Sequence, residues 1–375
     1  MVLVIGVLLL MEWILGFDTL DYYTRELFSC TILYIFIFSL LCASPFNSVL
    51  SKYMQDAIFE ERFQDILPCY YLGLWINIFL SCLVGIPFCL WEHFIGGVPV
   101  YYVFTGFCGY ISLTLVFYSM LYLSICKDYG RISLFFLVGL LIGFLLSLIL
   151  RFWAGWEISE SMLFSLTVSF FLISIFEYSS VRRYFIENSN RFLPVLRYFK
   201  KYWHLVAGNF FYTLGLYIHN FVFWTTELRM VVAKSFVCCQ PYDMASCLAM
   251  FTNISATVIF IARVEMYFHD RYKAYSEAVI GGRLVDIQST KRKMFREIAN
   301  QLLDLARIQF MISVVVYLLF VVILPRFGFA GMIMRIYPCL AAGYFILFQV
   351  YAEVLFLYYF KDMWGAVFTA LSFCV

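Results

Sequence analysis

The chain has 375 residues, 64% of them hydrophobic and 13% charged, with a mean hydropathy of +0.88 and a formal net charge of +2. A soluble domain is about half apolar and a quarter charged, so this composition excludes a water-soluble fold, and the lack of alternating apolar patterning excludes a membrane β-barrel. The net charge matters less than its distribution along the chain.

A bilayer core of about 30 Å takes about 20 apolar residues per helix, and backbone in lipid must satisfy its own hydrogen bonds, so the apolar runs predict helices. They fall at 1–17, 27–43, 69–91, 100–126, 132–153, 159–181, 203–224, 242–262, 307–325 and 336–360, with a partial helix from 364. The opening run Met1–Phe17 carries neither a basic leader nor a small-residue cleavage site, so it reads as a membrane helix cut short at its start. The closing run Trp364–Val375 has 12 residues, too few to cross, and the expectation is a chain truncated at both ends.

The connections sort by charge. Alternate connections at 44–68, 127–131, 182–202, 263–307 and 361–363 hold 20 of the 26 Lys and Arg, and the intervening ones hold only Arg25, Arg151, Arg229, Lys234, Arg326 and Arg335. Basic connections stay in the cytoplasm, so the chain is expected to be a multi-pass membrane protein with a cytoplasmic N-terminus. The expected fold class is all-α, a polytopic helical membrane protein of two lobes: 1–181, a basic cytoplasmic hinge at 182–202, and 203–375. Within the second lobe, 263–307 interleaves Met294, Ile298, Leu302 and Leu305 with Arg296, Glu297 and Asp304, the pattern of an amphipathic helix at the inner surface. That helix either packs on its own neighbours or docks a cytoplasmic partner, for which Lys291, Arg292, Lys293 and Arg296 are the candidate contacts.

Polar residues inside apolar helices mark candidate sites, because a charge at the helix centre costs about 2.5–3.5 kcal/mol on insertion scales. In the run 203–224, Asn209, Thr213, Tyr217, Asn220 and Trp224 share one stripe at about 100° per residue, with His219 on its flank. Amides, a hydroxyl and aromatic faces suit a sugar, and hydrogen-bonding glue between helices is the alternative. Gln349 and Glu353 lie one turn apart and, with Glu177, are candidates for gating or ion coupling; proximity to Lys361 and to Arg182 and Arg183 offers an interfacial alternative for the two carboxylates. Ser246, Asn253 and Thr257 form a smaller polar stripe that reads as packing.

Enzymatic signatures are sparse. Neither a phosphate-binding GxxxxGK[ST] nor a zinc HExxH occurs. Asp18 and Asp21 sit in the first outward connection, where membrane glycosyltransferases using lipid-linked sugars carry acidic residues, although an ordinary solvated loop looks the same. Glu265, His269 and Asp270 have helical metal spacing but neighbour Arg263 and Arg271, which favours a salt-bridge cluster. Twelve cysteines, single except for Cys238–Cys239 and without CxxC spacing, read as small buried apolar residues, so no cofactor, metal or catalytic residue is assigned.

Four blocks carry a resemblance: SPFNSVLSKYMQDAIFEERF at 44–63, LGLYIHNFVFW at 214–224, PYDMASCLAMFTNISATVIFIARVEMYFHDRYKAYSEAVIGGRL at 241–284 and LPRFGFAGMIMRIYPCLAAGYFILF at 324–348. They resemble the PelG family, the membrane component of the bacterial Pel exopolysaccharide system, and the likeness runs through nearly the whole chain. That family is similar to flippases of the multidrug/oligosaccharidyl-lipid/polysaccharide superfamily, which implies about twelve helices in two six-helix lobes, of which ten to eleven are represented here. The resemblance implies transport of Pel polymer across the bacterial cytoplasmic membrane, with the cytoplasmic glycosyltransferase PelF and the membrane proteins PelD and PelE as partners. It implies no catalytic residues. An integral glycosyltransferase and a scaffold for the synthase are the alternative functions.

Overall fold

Helix after helix along this chain begins and ends where a short polar residue or a left-handed turn interrupts the apolar pattern. A computed structural model describes residues 2–250, 268–323, 325 and 331–375. The elements are α1 (Val2–Leu15), α2 (Tyr22–Phe59), α3 (Ile66–Phe94), α4 (Val100–Ile125), α5 (Tyr129–Phe152), α6 (Ile158–Tyr184), α7 (Leu193–Lys201), α8 (Trp203–Phe223), β1 (Met230–Val232), β2 (Phe236–Cys238), α9 (His269–Gly281), α10 (Leu284–Ile323), α11 (Met332–Tyr359) and α12 (Met363–Cys374). Residues 240–250 are also helical. Asp21 caps α2 by accepting the Thr24 amide at 3.3 Å, and Asp128 caps α5 by accepting the Arg131 amide at 3.3 Å. Past the ends of α2 and α4, Glu61 and Lys127 take positive φ of 58° and 59°, which stops each helix.

Among the described residues, seven helices are long and apolar enough to cross a membrane: α2, α3 with its preceding 3₁₀ turn, α4, α5, α6, α10 and α11. The protein is therefore an all-α, polytopic helical membrane protein. At 21 residues α8 also has the length to cross, and α1 has 14 residues. The predicted helix at 242–262 lies mostly outside the described residues.

The chain forms two compact units, one of Met1–Cys238 with Ala370–Val375, the other of Cys239–Thr369. In the first unit, helices approach through small residues. The α5 series Gly139, Gly143 and Ser147 faces the α6 series Ser161, Ser165 and Ser169, and a Cβ on Gly143 would meet Ser169 Oγ at 1.8 Å. In lipid there is no hydrophobic drive between helices, so such close backbone approach supplies the packing energy. Between α3 and α4 a tyrosine layer does similar work: Tyr70, Tyr118 and Tyr122 are fully buried, and the Tyr118 hydroxyl lies 2.9 Å from both the Tyr70 carbonyl and the Tyr122 hydroxyl.

The helices of this unit alternate in direction, and its connections gather at two ends. At one, Asp65 accepts from Ser189 at 2.7 Å, Asp56 accepts from Tyr198, and Asp128 accepts from Tyr184, bringing the connections after α2, α4 and α6 together. At the other, the β1–β2 hairpin sits against the start of α2: Tyr22 Oη donates to Met230 Sδ at 2.8 Å, and the Tyr34 hydroxyl donates to the Val237 carbonyl at 2.8 Å. The Lys- and Arg-rich connections are the ones at the first end.

Three expectations are corrected. The connection at 44–68 is mostly helix, because α2 runs for 38 residues, roughly 57 Å at 1.5 Å per residue, with Pro45 inside it. The stretch 225–241 holds an antiparallel hairpin with Val232 opposite Phe236. In the second unit, 284–307 is the first half of α10, a single 40-residue helix that continues without a break into the apolar run. Its buried positions Met294 and Leu305, with Ile298 and Leu302 beside them, pack on Phe268 and on Phe348, Ala352 and Phe356 of α11. The amphipathic pattern is thus spent on neighbouring helices of its own unit.

Candidate functional site: the inner face of α8

The stripe read from the sequence is one continuous buried face of α8. Thr213, Tyr217, Asn220 and Trp224 are buried, Asn209 and His219 are half-buried, and the helix packs along α2. Asn209 Nδ2 donates to the Ser44 carbonyl. That carbonyl immediately precedes Pro45, whose ring removes a backbone donor and weakens the α2 ladder at this point. At the other end of the stripe, Trp224 stacks on Tyr34 of α2 with centroids 5.1 Å apart and planes 2° from parallel, and Phe221 lies 6.2 Å from Phe38. Asn209 and Trp224 thus tie the two ends of the stripe to α2 along an α2–α8 seam, hydrogen-bonding near Pro45 and aromatic toward the hairpin. In this conformation the seam is closed by side-chain packing between the two helices.

Tyr34 and Phe38, the α2 residues against which the aromatic end of α8 packs, also line a cavity of about 300 Å³ inside the first unit. Tyr34, Phe38, Phe88, Phe107, Tyr110 and Phe236 form its walls, and Glu92 is the acidic residue among them. Glu92 is 4% exposed, and its Oε1 has no hydrogen-bond partner among the described residues. The sequence reading passed over Glu92 and the cavity. Glu92 falls one residue beyond an apolar run, where a carboxylate reads as solvated, and aromatic residues in apolar helices look the same whether they line a void or fill a core.

The coupling candidates separate. Glu177 on α6 is 0% exposed, and neither carboxylate oxygen has a hydrogen-bond partner among the described residues. Gln349 is half-buried on α11, whereas Glu353, one turn on, is exposed. Lys291, Arg292, Lys293 and Arg296 are all exposed on the first half of α10, opposite the buried Met294, and Lys291 Nζ lies 6.0 Å over the Phe295 ring. Ser246 pairs with the Tyr344 hydroxyl at 2.9 Å, a packing contact, while Asn253 and Thr257 lie outside the described residues.

The acidic loop resolves into capping. Asp21 accepts from the Thr24 hydroxyl at 2.6 Å as well as from its amide, and these hydrogen bonds hold its carboxyl below the usual carboxylate range. A carboxylate so held is a weaker base, and its lone pairs are used by the helix start. Of Glu265, His269 and Asp270, read as a salt-bridge cluster, Glu265 lies outside the described residues.

Long apolar helices and close small-residue crossings define a polytopic helical membrane fold. The fold is similar to that of a solved multidrug resistance MATE family transporter of the MOP superfamily in an inward-facing conformation, with 13% identity and a TM-score of 0.53 over 92% of this chain and 77% of that one. The chain belongs to the PelG family, described as "Putative exopolysaccharide Exporter (EPS-E)", which matches residues 1–375. No curated protein matches it.

Proposed function

We propose that this chain moves Pel exopolysaccharide across the bacterial cytoplasmic membrane and that the α2–α8 seam is part of the polymer's path. The observation that carries this reading is the composition of the seam. Two asparagines, a threonine, a tyrosine and a tryptophan supply donors, acceptors and flat apolar faces along one helix, the set a pyranose chain requires. A parting of α8 from α2 beside Pro45 exposes that set to the polymer. The orientation puts the basic end of the first unit in the cytoplasm, where the synthase delivers the chain, and the hairpin end outside.

Glu177 is the coupling residue in this reading. An isolated buried carboxylate is penalised by several kcal/mol, so one without a side-chain partner among the described residues either carries a proton or takes a cation beside its ionised form. The exposed Lys291, Arg292, Lys293 and Arg296 form the docking strip for PelF, with PelD and PelE as membrane partners. Replacing Lys291, Arg292 and Lys293 by Gln is expected to release the glycosyltransferase from membranes by fractionation; full retention would remove the docking assignment. An enzymatic reading through Asp21 is weakened by its role as a helix cap.

The test is a triple substitution, Asn209→Ala, Asn220→Ala and Trp224→Ala, at matched membrane protein level. Secreted polymer is expected to fall at least tenfold. Wild-type secretion from that variant would take the seam out of the path.

A further inference from the structure

At the hairpin end of the first unit, the thiols of Cys30 and Cys238 face each other with Sγ–Sγ of 3.1 Å, 208 residues apart in sequence. Cys30 lies two turns into α2, and Cys238 is the last residue of β2. Both are buried, at 2% and 3% exposed. We infer that Cys30 and Cys238 form a disulfide that fastens the β1–β2 hairpin to α2 at the outer end of the first helical unit.

Three further observations point the same way. A two-stranded hairpin is marginal by itself, and this one has only three residues in each strand. Its turn is closed by the Ser235 amide on the Val232 carbonyl at 3.2 Å, with Ala233 and Lys234 at φ of 50° and 55°, a left-handed conformation unfavourable to both residues. Yet the hairpin is seated closely: a Cβ on Gly96 would meet the Ala233 carbonyl at 2.6 Å, and Tyr34 exchanges hydrogen bonds with Val237 in both directions, at 2.8 and 3.0 Å. A covalent tie at Cys238 accounts for a strained, short element being held in one place. It also fixes Phe236, two residues away, in the wall of the aromatic cavity and edge-on to Tyr34 at 4.9 Å.

The chemistry needs an oxidising compartment, which the outward orientation in the proposed function supplies; the inference rests on that orientation but not on the identity of the cargo. The oxidant is a disulfide-bearing thiol oxidase. One Cys thiolate attacks the oxidant's disulfide to give a mixed disulfide, and the second thiolate then displaces the oxidant as its dithiol. The two cysteines thus lose two protons and two electrons, and the oxidant's disulfide is reduced. Both sulfurs are covered in the folded protein, so the bond forms before the hairpin seats and is afterwards shielded from exchange.

The test uses the full chain in membranes of the producing cell, with thiols blocked by N-ethylmaleimide under denaturing acid quench before non-reducing digestion. The expected result is a linked peptide pair containing Cys30 and Cys238 in most molecules, absent in Cys30→Ser and in Cys238→Ser. Each single variant should yield its remaining thiol as the maleimide adduct. Reductant present during heating, which reaches the bond once the hairpin opens, should lower the thermal midpoint of the wild type but not that of the doubly substituted protein. Recovery of both cysteines as adducts from the wild type overturns the inference. A membrane-impermeant amine reagent on Lys234 in intact spheroplasts separates the two failures. Reduced thiols with Lys234 labelled remove the disulfide alone, whereas an unlabelled Lys234 that reacts in inverted vesicles overturns the orientation and the disulfide with it.

Discussion

Asn209 donates its amide to the carbonyl just before Pro45, and the size of that bond decides what its loss means. Interhelical hydrogen bonds in membrane proteins are worth on average about 0.6 kcal/mol, and an aromatic stack such as Trp224 on Tyr34 about 0.5–1.5 kcal/mol beyond its burial. Were these residues only glue, removing Asn209 would leave the protein nearly as stable and its export nearly unchanged. A large fall in export at normal protein level therefore reports contact with cargo or control of the seam. Glu177 poses the opposite case. Because its carboxylate oxygens lack hydrogen-bond partners among the described residues, Glu177→Gln removes a desolvation penalty and is expected to leave thermal stability equal or higher. If Glu177 couples transport to an ion gradient, as proposed, wild-type transport in reconstituted vesicles follows an imposed gradient and that of the variant does not; the same gradient response in both would remove Glu177 from coupling. At this scale polarity interrupting an apolar run picked out Asn209, Asn220 and Glu177, of which the structure buries Asn220 and Glu177 and half-buries Asn209. The sequence was silent where partners decide, as at Glu92, or where Cys30 meets Cys238 from across the chain.

Among the elements, α5 and α6 make the sharpest packing prediction. Gly143 has no space for a Cβ, with Ser169 Oγ 1.8 Å and the Ser165 carbonyl 2.9 Å from where it would sit. Gly143→Val is expected to destabilise the first unit by about 1–3 kcal/mol, read as a lower thermal midpoint in detergent, whereas Gly130→Ala, where a Cβ meets nothing within 4 Å, should have no such effect. An unchanged midpoint for the valine variant would mean that the two helices do not cross there. Element type was legible from hydropathy, since nearly every long apolar run is a helix. Element length was not. The sequence divides α2 and α10 where charges begin, but a helix continues through charged residues when one stripe still has somewhere to pack, as Met294 and Leu305 do. The hairpin escaped notice because two three-residue strands have too few positions to show an alternating pattern, and its turn uses Ala233 and Lys234 where Gly and Asn are usual.

For the molecule as a whole, the lopsided charge of the connections was legible from sequence because it depends only on counting. The structure gathers the basic connections after α2, α4 and α6 at one end of the first unit, through Asp65 with Ser189, Asp56 with Tyr198 and Asp128 with Tyr184. The path is harder to read, because a seam that must open for transport is, in any one closed state, indistinguishable by residue type from a seam that never opens. The closed contact between Phe38 and Phe221, 6.2 Å apart, makes that difference measurable.

The most direct measurement is polymer export with the seam locked. Phe38→Cys and Phe221→Cys together, joined by a short bifunctional maleimide, hold α2 against α8, and each single variant and the wild type receive the same reagent as controls. Export is predicted to stop in the joined double variant and to continue in the controls. Undiminished export through a protein whose seam is shown to be fully cross-linked would contradict the account.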